Sequence, residues 1–249
     1  MRHAFSLVEL SIVLVILGLL TGGILTGQSL IRAAELRSVA TDISRYRTAV
    51  YTFRDKYFAL PGDMRNAYDF WGTLNGCTNA DTNTTPAGCN GNGNGIFNNS
   101  ANKYHENARF WQHLASAGLI EGTYTGLQNA SSPYFTIGSN IPATKLSNVG
   151  IGVGHNEPGA YGGSTYWGTH IDGNVFFIGT IYPDAPRAAA FSPEEVWNID
   201  TKLDDGRPGT GWVISEPYLT NCHNGTDPAT STYQLNSSGT VCAIRALMR

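Results

Sequence analysis

The chain begins with a long apolar run. From Leu10 to Ile31 there are 22 residues without a charged side chain. A helix of this length extends about 33 Å, which is enough to cross the hydrocarbon core of a bilayer. The glycines within the run do not oppose this, because glycine is common in membrane helices. The pattern predicts a membrane-spanning segment over residues 5–31.

A second pattern follows directly over residues 32–58. Its apolar residues recur at intervals of three and four, which places them on one stripe of a helix: Leu36, Val39, Ile43, Tyr46, Val50, Phe53 and Tyr57. Pro61 and Gly62 end the pattern. A coiled coil is one partner for such a stripe, but a large domain follows directly, so packing on the chain's own domain is favoured. The two patterns together predict one helix over residues 5–58.

Two shorter helices are predicted in the remainder of the chain, residues 59–249. The first covers about residues 103–118, and its apolar residues Phe110, Trp111 and Leu114 would face a core. The second begins at Ser192-Pro193-Glu194-Glu195 and reaches about Leu203. Ser192 and Glu195 have the spacing of a capping box, and proline suits the first helical turn.

Strand signals concentrate in the second half of the chain. The clearest is the apolar segment Asn174–Tyr182. Trp212–Ser215, Tyr233–Leu235 and Thr240–Ile244 are further candidates, and Asn236-Ser237-Ser238-Gly239 would be the turn that joins the last two as antiparallel strands.

Composition and charge exclude several classes of protein. Hydrophobic residues make up 41% and charged residues 14%, with 29 glycines, which excludes a chain that is all coiled coil or a charge-rich disordered chain. The net charge is −3 at pH 7 and the basic residues of the globular part do not cluster, so nothing indicates binding to nucleic acid. The sequence has no GxSxG, P-loop, dinucleotide fingerprint or HExxH motif, and we expect that the protein is not an enzyme.

The four cysteines form two local pairs along the chain. An even number suits disulfide bonds in an oxidising compartment, and four cysteines allow three connectivities. The pairs Cys77–Cys89 and Cys222–Cys242 are favoured because their members are close in sequence, and four unpaired buried thiols are the alternative.

Two loops contain groups of oxygen ligands that could bind calcium. Asn90-Gly91-Asn92-Gly93-Asn94-Gly95 places side-chain carbonyls at alternate positions, but it lacks anionic ligands, so a glycine–asparagine turn is favoured there. Asp200, Asp204 and Asp205 form an acidic cluster at the end of the predicted helix. They form either a cation site or a helix-ending turn with solvated acids, and the turn is favoured. No other cofactor is expected.

The residues Phe5-Ser6-Leu7-Val8-Glu9-Leu10, followed by the apolar run, resemble the prepilin family: type IV pilins and type II secretion pseudopilins. A secretory signal peptide is the alternative, but no A-x-A cleavage site follows the run. The resemblance implies that residues 1–4 are a leader, which a prepilin peptidase removes by cutting between Ala4 and Phe5, and that the new amine is methylated. The family nearly always has glycine before the cut, whereas this chain has Ala4.

The resemblance also assigns a role to Glu9, whose carboxylate would meet the free amine of a neighbouring subunit during assembly. It implies an α+β fold, with one long helix laid on an antiparallel sheet that carries large loop insertions. Cys222–Cys242 would delimit a region of subunit contact. The segment from Ile199 to Gly206 resembles one that recurs in a subset of bacterial pilin-like proteins.

The expected function is that of a structural subunit, major or minor, of a type IV pilus-like filament. Its partners would be other pilin-like subunits, prepilin peptidase and an inner-membrane assembly platform. The precursor would lie in the bacterial inner membrane with its globular part in the periplasm, and the assembled filament would be extracellular. A secretion pseudopilin is the first alternative. A membrane-anchored periplasmic binding protein or enzyme is the second, and for it Glu9 would be dispensable.

Overall fold

One helix forms the entire N-terminal part of the structure. In the computed structural model, which describes residues 7–74, 76–82, 87–97, 105–129, 132–156, 172–182 and 185–248, helix α1 runs from Leu7 to Tyr57 without interruption. Its 51 residues span about 76 Å. The prediction of a single helix through both sequence patterns is therefore confirmed, and the helix ends one residue earlier than expected.

The second half of α1 lies in the core of the globular domain. Val39, Ile43, Tyr46, Val50 and Phe53 are each no more than 3% exposed, as the stripe predicted. Leu36 and Tyr57, at the two ends of the stripe, are partly buried against the same core. The domain of the same chain covers the stripe, so the coiled-coil alternative is wrong for this face.

An antiparallel sheet forms the layer opposite α1. Its strands are β3 (Gly150–Asn156), β4 (Gly173–Tyr182), β5 (Ala185–Ala188), β6 (Val213–Ser215) and β7 (Ile244–Leu247). They are ordered β3-β4-β7-β6, and β5 pairs with the final residues of β4. Strand β4 corresponds to the apolar segment that the sequence identified, and it pairs with three other strands.

Short elements connect the helix to the sheet. Helix α2 (Ala67–Trp71) is followed by β1 (Thr78–Asp81) and β2 (Gly88–Asn90), which pair in parallel. Helix α3 (His105–Ser116) lies within the predicted 103–118 range, and α4 (Pro193–Leu203) has the predicted bounds. The architecture is α+β, with a long helix packed against an antiparallel sheet and long insertions between the elements.

Trp111 joins the helical layer to the sheet. Its ring centroid lies 4.9 Å from that of Tyr46 on α1 and 6.2 Å from that of Phe176 on β4. The neighbouring ring of Phe110 lies 4.8 Å away. Phe110, Trp111 and Leu114 are all fully buried, which confirms their predicted place in the core.

The predicted pairing of the last two strands is wrong. Strand β7 begins only at Ile244, and it pairs with β6 and β4 rather than with residues 233–235. The backbone of Cys242 is already engaged, because its carbonyl accepts the N–H groups of Ala190 and Phe191. Tyr233 instead forms an isolated bridge with His223.

A buried histidine connects three parts of the fold. The Nδ1 atom of His113 accepts the N–H of Gly62 at 2.9 Å, just after α1. Its Nε2 atom lies 3.2 Å from the carbonyl of Cys89, so it carries the proton and donates it there. Burial, reinforced by the charge of Arg109, lowers the pKa of His113 to about 3. The ring is therefore neutral in the folded protein.

We predict that His113 contributes to acid unfolding. In the unfolded chain its pKa returns to about 6.5, so stability is fully present above that pH and is lost as the pH falls toward 3. The loss attributable to this group is roughly 3–5 kcal/mol. H113Q cannot titrate, so its free energy of unfolding should fall less steeply over this window. Equal slopes in denaturant titrations of both proteins would contradict the prediction.

We also predict that Phe53→Ala destabilises the domain by about 3–5 kcal/mol, because it removes a fully buried ring from the contact between α1 and α3. Phe70→Ala is the matched control, since that ring is 55% exposed. Denaturant unfolding monitored by tryptophan fluorescence measures both. A similar small effect for the two variants would show that α1 is not part of the core.

Candidate functional site

The first half of α1 projects from the domain with its apolar side chains exposed. Fifteen large apolar side chains between Leu7 and Ile31 are between 50% and 85% exposed. This part of the helix is long and apolar enough to cross a membrane, and none of it is buried against the rest of the chain. Such a surface needs lipid or other apolar helices around it.

Hydroxyl groups within this half are satisfied by the helix itself. Ser11 donates to the carbonyl of Val8 at 2.9 Å, and Thr21 donates to that of Leu17 at 2.9 Å. Thr26 bonds in the same way to a carbonyl one turn earlier. Because these donors already have acceptors, the segment can enter an apolar environment without exposing them.

Glu9 lies in the first described turn of α1, and its side chain is exposed. A carboxylate is favoured near the N-terminus of a helix, where the backbone N–H groups are unpaired. The predicted cleavage residues, Ala4 and Phe5, lie outside the described residues. The predicted assembly role of Glu9 needs a second subunit and remains a prediction.

An ion pair fixes α1 to the domain where its exposed half ends. Arg32 donates from Nε to Oε1 of Glu195 at 2.6 Å and from Nη2 to Oε2 at 2.8 Å. The same Nη2 also donates to the carbonyl of Ala190 at 3.3 Å. A two-pronged contact of this kind defines the orientation of both partners.

Glu195 has two roles at once. It completes the predicted capping box of α4, accepting the N–H of Ser192 at 2.9 Å while Ser192 accepts the N–H of Glu195 at 3.3 Å. Burial would raise the pKa of Glu195, but the hydrogen bonds from Arg32 and Ser192 outweigh it and the pKa is lowered. The hydrogen bond to Glu195 is the main cause of the raised pKa of Arg32. Both groups therefore stay charged.

The two favoured disulfide bonds are both present. Cys77–Cys89 closes the loop between β1 and β2, with Cα atoms 5.3 Å apart. Cys222–Cys242 closes the loop that precedes β7, with Cα atoms 5.0 Å apart. Each restricts the unfolded chain and is worth about 3 kcal/mol in an entropy estimate. The alternative of unpaired thiols is wrong.

The three aspartates at the end of α4 do come together. One carboxylate oxygen from each of Asp200, Asp204 and Asp205 lies within 4.8 Å of the others. Asp200 is fully buried and accepts the hydroxyl of Tyr233 at 2.8 Å and the N–H of Gly206 at 3.2 Å. The cluster thus ties the end of α4 to the disulfide-closed C-terminal loop.

The other two carboxylates organise the turn after α4. Asp204 accepts the backbone N–H groups of Trp212 and Val213 at 2.5 and 3.1 Å. Asp205 accepts the N–H of Arg207 at 2.8 Å. These contacts are those of the helix-ending turn that the sequence favoured. Carboxylate oxygens have further lone pairs, so cation binding remains a separate prediction.

The environment of Asp200 is unfavourable for a negative charge. Burial raises the pKa of Asp200 to about 7, although the bonds from Tyr233 and Gly206 lower it in part. The nearby charges of Asp205 and Asp204 raise it further. The carboxyl group of Asp200 is therefore partly protonated near neutral pH.

The asparagine–glycine loop is organised around an anion of the chain itself. Both carboxylate oxygens of Asp63 accept backbone N–H groups from Gly93, Asn94 and Gly95, at distances of 2.6 to 3.2 Å. The Asn92 side-chain carbonyl accepts the N–H of Asn94, and that of Asn94 accepts the N–H of Ile96. The loop thus has the geometry of the favoured glycine–asparagine turn, with donors directed at Asp63, which the sequence analysis missed.

Comparisons with known proteins give no match: no family model, no curated protein and no solved structure is significantly similar to this chain.

The cation interpretation of the acidic cluster makes a testable prediction. Millimolar calcium added to chelator-treated protein should raise the Tm by roughly 5 °C at pH 7.5, because a cation would replace the proton on Asp200 and remove the repulsion. Asp204→Asn should abolish the shift, whereas Asp69→Asn, an exposed acid in α2, should retain it. An identical Tm with calcium and with chelator would contradict cation binding. The three carboxylates would then serve only to form the turn after α4.

Proposed function

We propose that this chain is a structural subunit of a type IV pilus-like filament, as the resemblance of its N-terminal residues to prepilins implies. The observation that carries the proposal is the division of α1 into two halves. One half exposes apolar side chains from Leu7 to Ile31, and the other is the central helix of the disulfide-bonded domain.

The physics of this division suits reversible assembly. In the inner membrane the apolar half of α1 contacts lipid tails. In a filament core it contacts the same half of other subunits, and helix–lipid contacts are replaced by helix–helix contacts of similar energy. Such an exchange is nearly balanced, so an assembly platform can extract subunits and return them.

The connection between the halves supports transfer of the whole subunit as one body. Helix α1 is continuous through the change of environment, and Arg32 and Glu195 hold it to α4 at that point. Movement of the apolar half therefore moves the domain with it. A flexible linker would be sufficient for a simple membrane anchor.

Glu9 is the charged group within the proposed assembly segment. After cleavage before Phe5, the free amine of one subunit would lie near Glu9 of a neighbour. A carboxylate in apolar surroundings is costly without a partner, so subunits in the wrong register would be penalised. We therefore assign Glu9 to selecting the register rather than to net stability.

The proposed location is the inner membrane for the precursor, with residues 59–249 in the periplasm, and the cell exterior for the filament. The two disulfide bonds support this, since such bonds persist in oxidising compartments. Prepilin peptidase and an assembly platform are the proposed partners before assembly, and other pilin-like subunits after it.

We predict that Glu9→Ala and the isosteric Glu9→Gln leave cleavage intact but lower the yield of sheared filaments at least tenfold, because the carboxylate is absent from both. Glu35→Gln, in the domain-proximal half of α1, is the matched control and should assemble normally. Immunoblots of sheared and membrane fractions measure the yield. Normal yield from Glu9→Gln would contradict the role of the charge.

Mass spectrometry of the mature N-terminus distinguishes the alternatives. A methylated Phe5 in the sheared fraction supports a filament subunit. The same N-terminus found only in membranes supports a secretion pseudopilin or a scarce minor subunit. An intact Met1-Arg2-His3-Ala4 sequence in both fractions contradicts processing and favours a membrane-anchored binding protein or enzyme.

A further inference from the structure

A wide cleft lies at the end of α1 that is farthest from its exposed apolar half. Its volume is 1220 Å³, and it opens between the last turn of α1, the loop organised by Asp63, and the adjoining ends of β4 and β7. Asn174 on β4 donates to the carbonyl of Gly95 at 2.8 Å and so joins two of these walls. The cleft is therefore built from connected, ordered segments.

Phe58, which lines this cleft, has an unfavourable backbone conformation, and its apolar ring is exposed to solvent. It follows α1 with φ at 53°, a left-handed conformation that helices usually end with glycine. Its N–H bonds to the carbonyl of Arg54 at 2.8 Å, so the conformation is part of the helix terminus. The ring is 94% exposed and lines the cleft. Strain combined with an exposed aromatic ring points to a function at this position.

Further aromatic rings support the region next to Phe58. Tyr57 lines the cleft, and its ring packs edge-on against Phe70 and Trp71, each with centroids 5.3 Å away. Trp71 in turn lies 5.3 Å from the buried ring of His113. The core thus holds the ring of Tyr57 in place next to Phe58, and these two residues form the aromatic wall of the cleft.

Polar side chains surround the aromatic wall. Arg54, Asp55 and Asn66 line the cleft and are exposed. Asn66 occupies the N-cap position of α2, but its side chain does not make the capping hydrogen bond. An amide side chain has one acceptor oxygen and two N–H donors, and those of Asn66 are not used to cap α2.

The formal charges of the cleft cancel. Arg54 and Arg65 are balanced by Asp55 and Asp63. Arg65 also donates to the carbonyl of Asn92 at 2.5 Å, and Asp63 is surrounded by backbone N–H groups. The cleft therefore has no excess of positive charge for a phosphate or a nucleic acid, which favours a neutral ligand.

We propose that this cleft binds a neutral saccharide chain. A pyranose ring has an apolar face that can stack on the exposed ring of Phe58, and its hydroxyl groups both donate and accept hydrogen bonds. Arg54, Asp55 and Asn66 supply the matching donors and acceptors at the rim. The large, open cleft suits an oligosaccharide rather than a small enclosed ligand. This activity does not depend on filament assembly.

The test uses the full chain in a zwitterionic detergent that has no sugar headgroup. The probes are cellotriose, maltotriose and chitotriose, titrated by isothermal calorimetry and by saturation-transfer NMR, with sialyllactose as the anionic comparison. We expect binding of at least one neutral trisaccharide and transfer from aromatic protons. Phe58→Gly should weaken it at least tenfold, and Phe58→Trp should retain it.

Phe58→Gly also separates binding from folding. Glycine suits the left-handed backbone, so this variant should keep or raise the Tm while it loses binding. Asn148→Gly is the matched control, because Asn148 is also exposed and has φ at 59° but does not line the cleft. It should leave saccharide affinity unchanged.

Three outcomes would overturn the proposal. One is that none of the neutral trisaccharides binds at millimolar concentration. Another is that Phe58→Gly binds them as well as the wild type does. The third is that Phe58→Gly changes only self-association in sedimentation experiments, which would assign the surface to contacts between copies of this chain.

Discussion

The structure depends on α1, a single continuous helix whose two halves lie in different environments. Up to Ile31 the side chains of α1 need lipid or other apolar helices, and from Val39 onward one face is the core of the domain. The change of environment falls at Arg32, whose contacts with Glu195 and Ala190 hold the helix to α4. Because no break interrupts the helix there, the direction of the exposed half is set by the packing of the buried half.

The loop-rich domain is held together by buried polar contacts as well as by apolar packing. His113 bridges the segment after α1 to the first disulfide loop, and Tyr233 bridges the second disulfide loop to Asp200. On β7, the fully buried Arg245 pairs with Glu216, which is fully buried as well. Such groups are costly to bury unless they are paired, so arrangements of the loops that separate the partners are disfavoured.

The sequence predicted the features that depend on neighbouring residues, but it did not predict contacts between residues that are far apart in the chain. The spacing of apolar residues predicted α1, and the capping box of Ser192 and Glu195 predicted α4. The contact of Arg32 with Glu195 joins residues 163 positions apart, so no local pattern indicates it. The same reason explains why Asp63 was missed and why the partner of β7 was wrongly assigned, since sheet pairing is decided by contacts between distant segments.

Natural sequences usually agree with their local structure, so positions that break local rules are informative. Three such positions stand out here: Glu9 near the start of an apolar segment, Asp200 as the buried member of an acidic cluster, and Phe58 in a backbone conformation suited to glycine. The cost of Asp200 is offset in part within the domain by Tyr233 and Gly206. The ring of Phe58 is exposed to solvent, and Glu9 lies on the segment that leaves the domain. The buried position of Asp200 is part of folding, whereas Glu9 and Phe58 are the exposed positions to which the proposals of assembly and of saccharide binding assign a function. Glu9 and Phe58 lie near opposite ends of α1, so the two proposed contacts, in assembly and in saccharide binding, are far apart on the molecule.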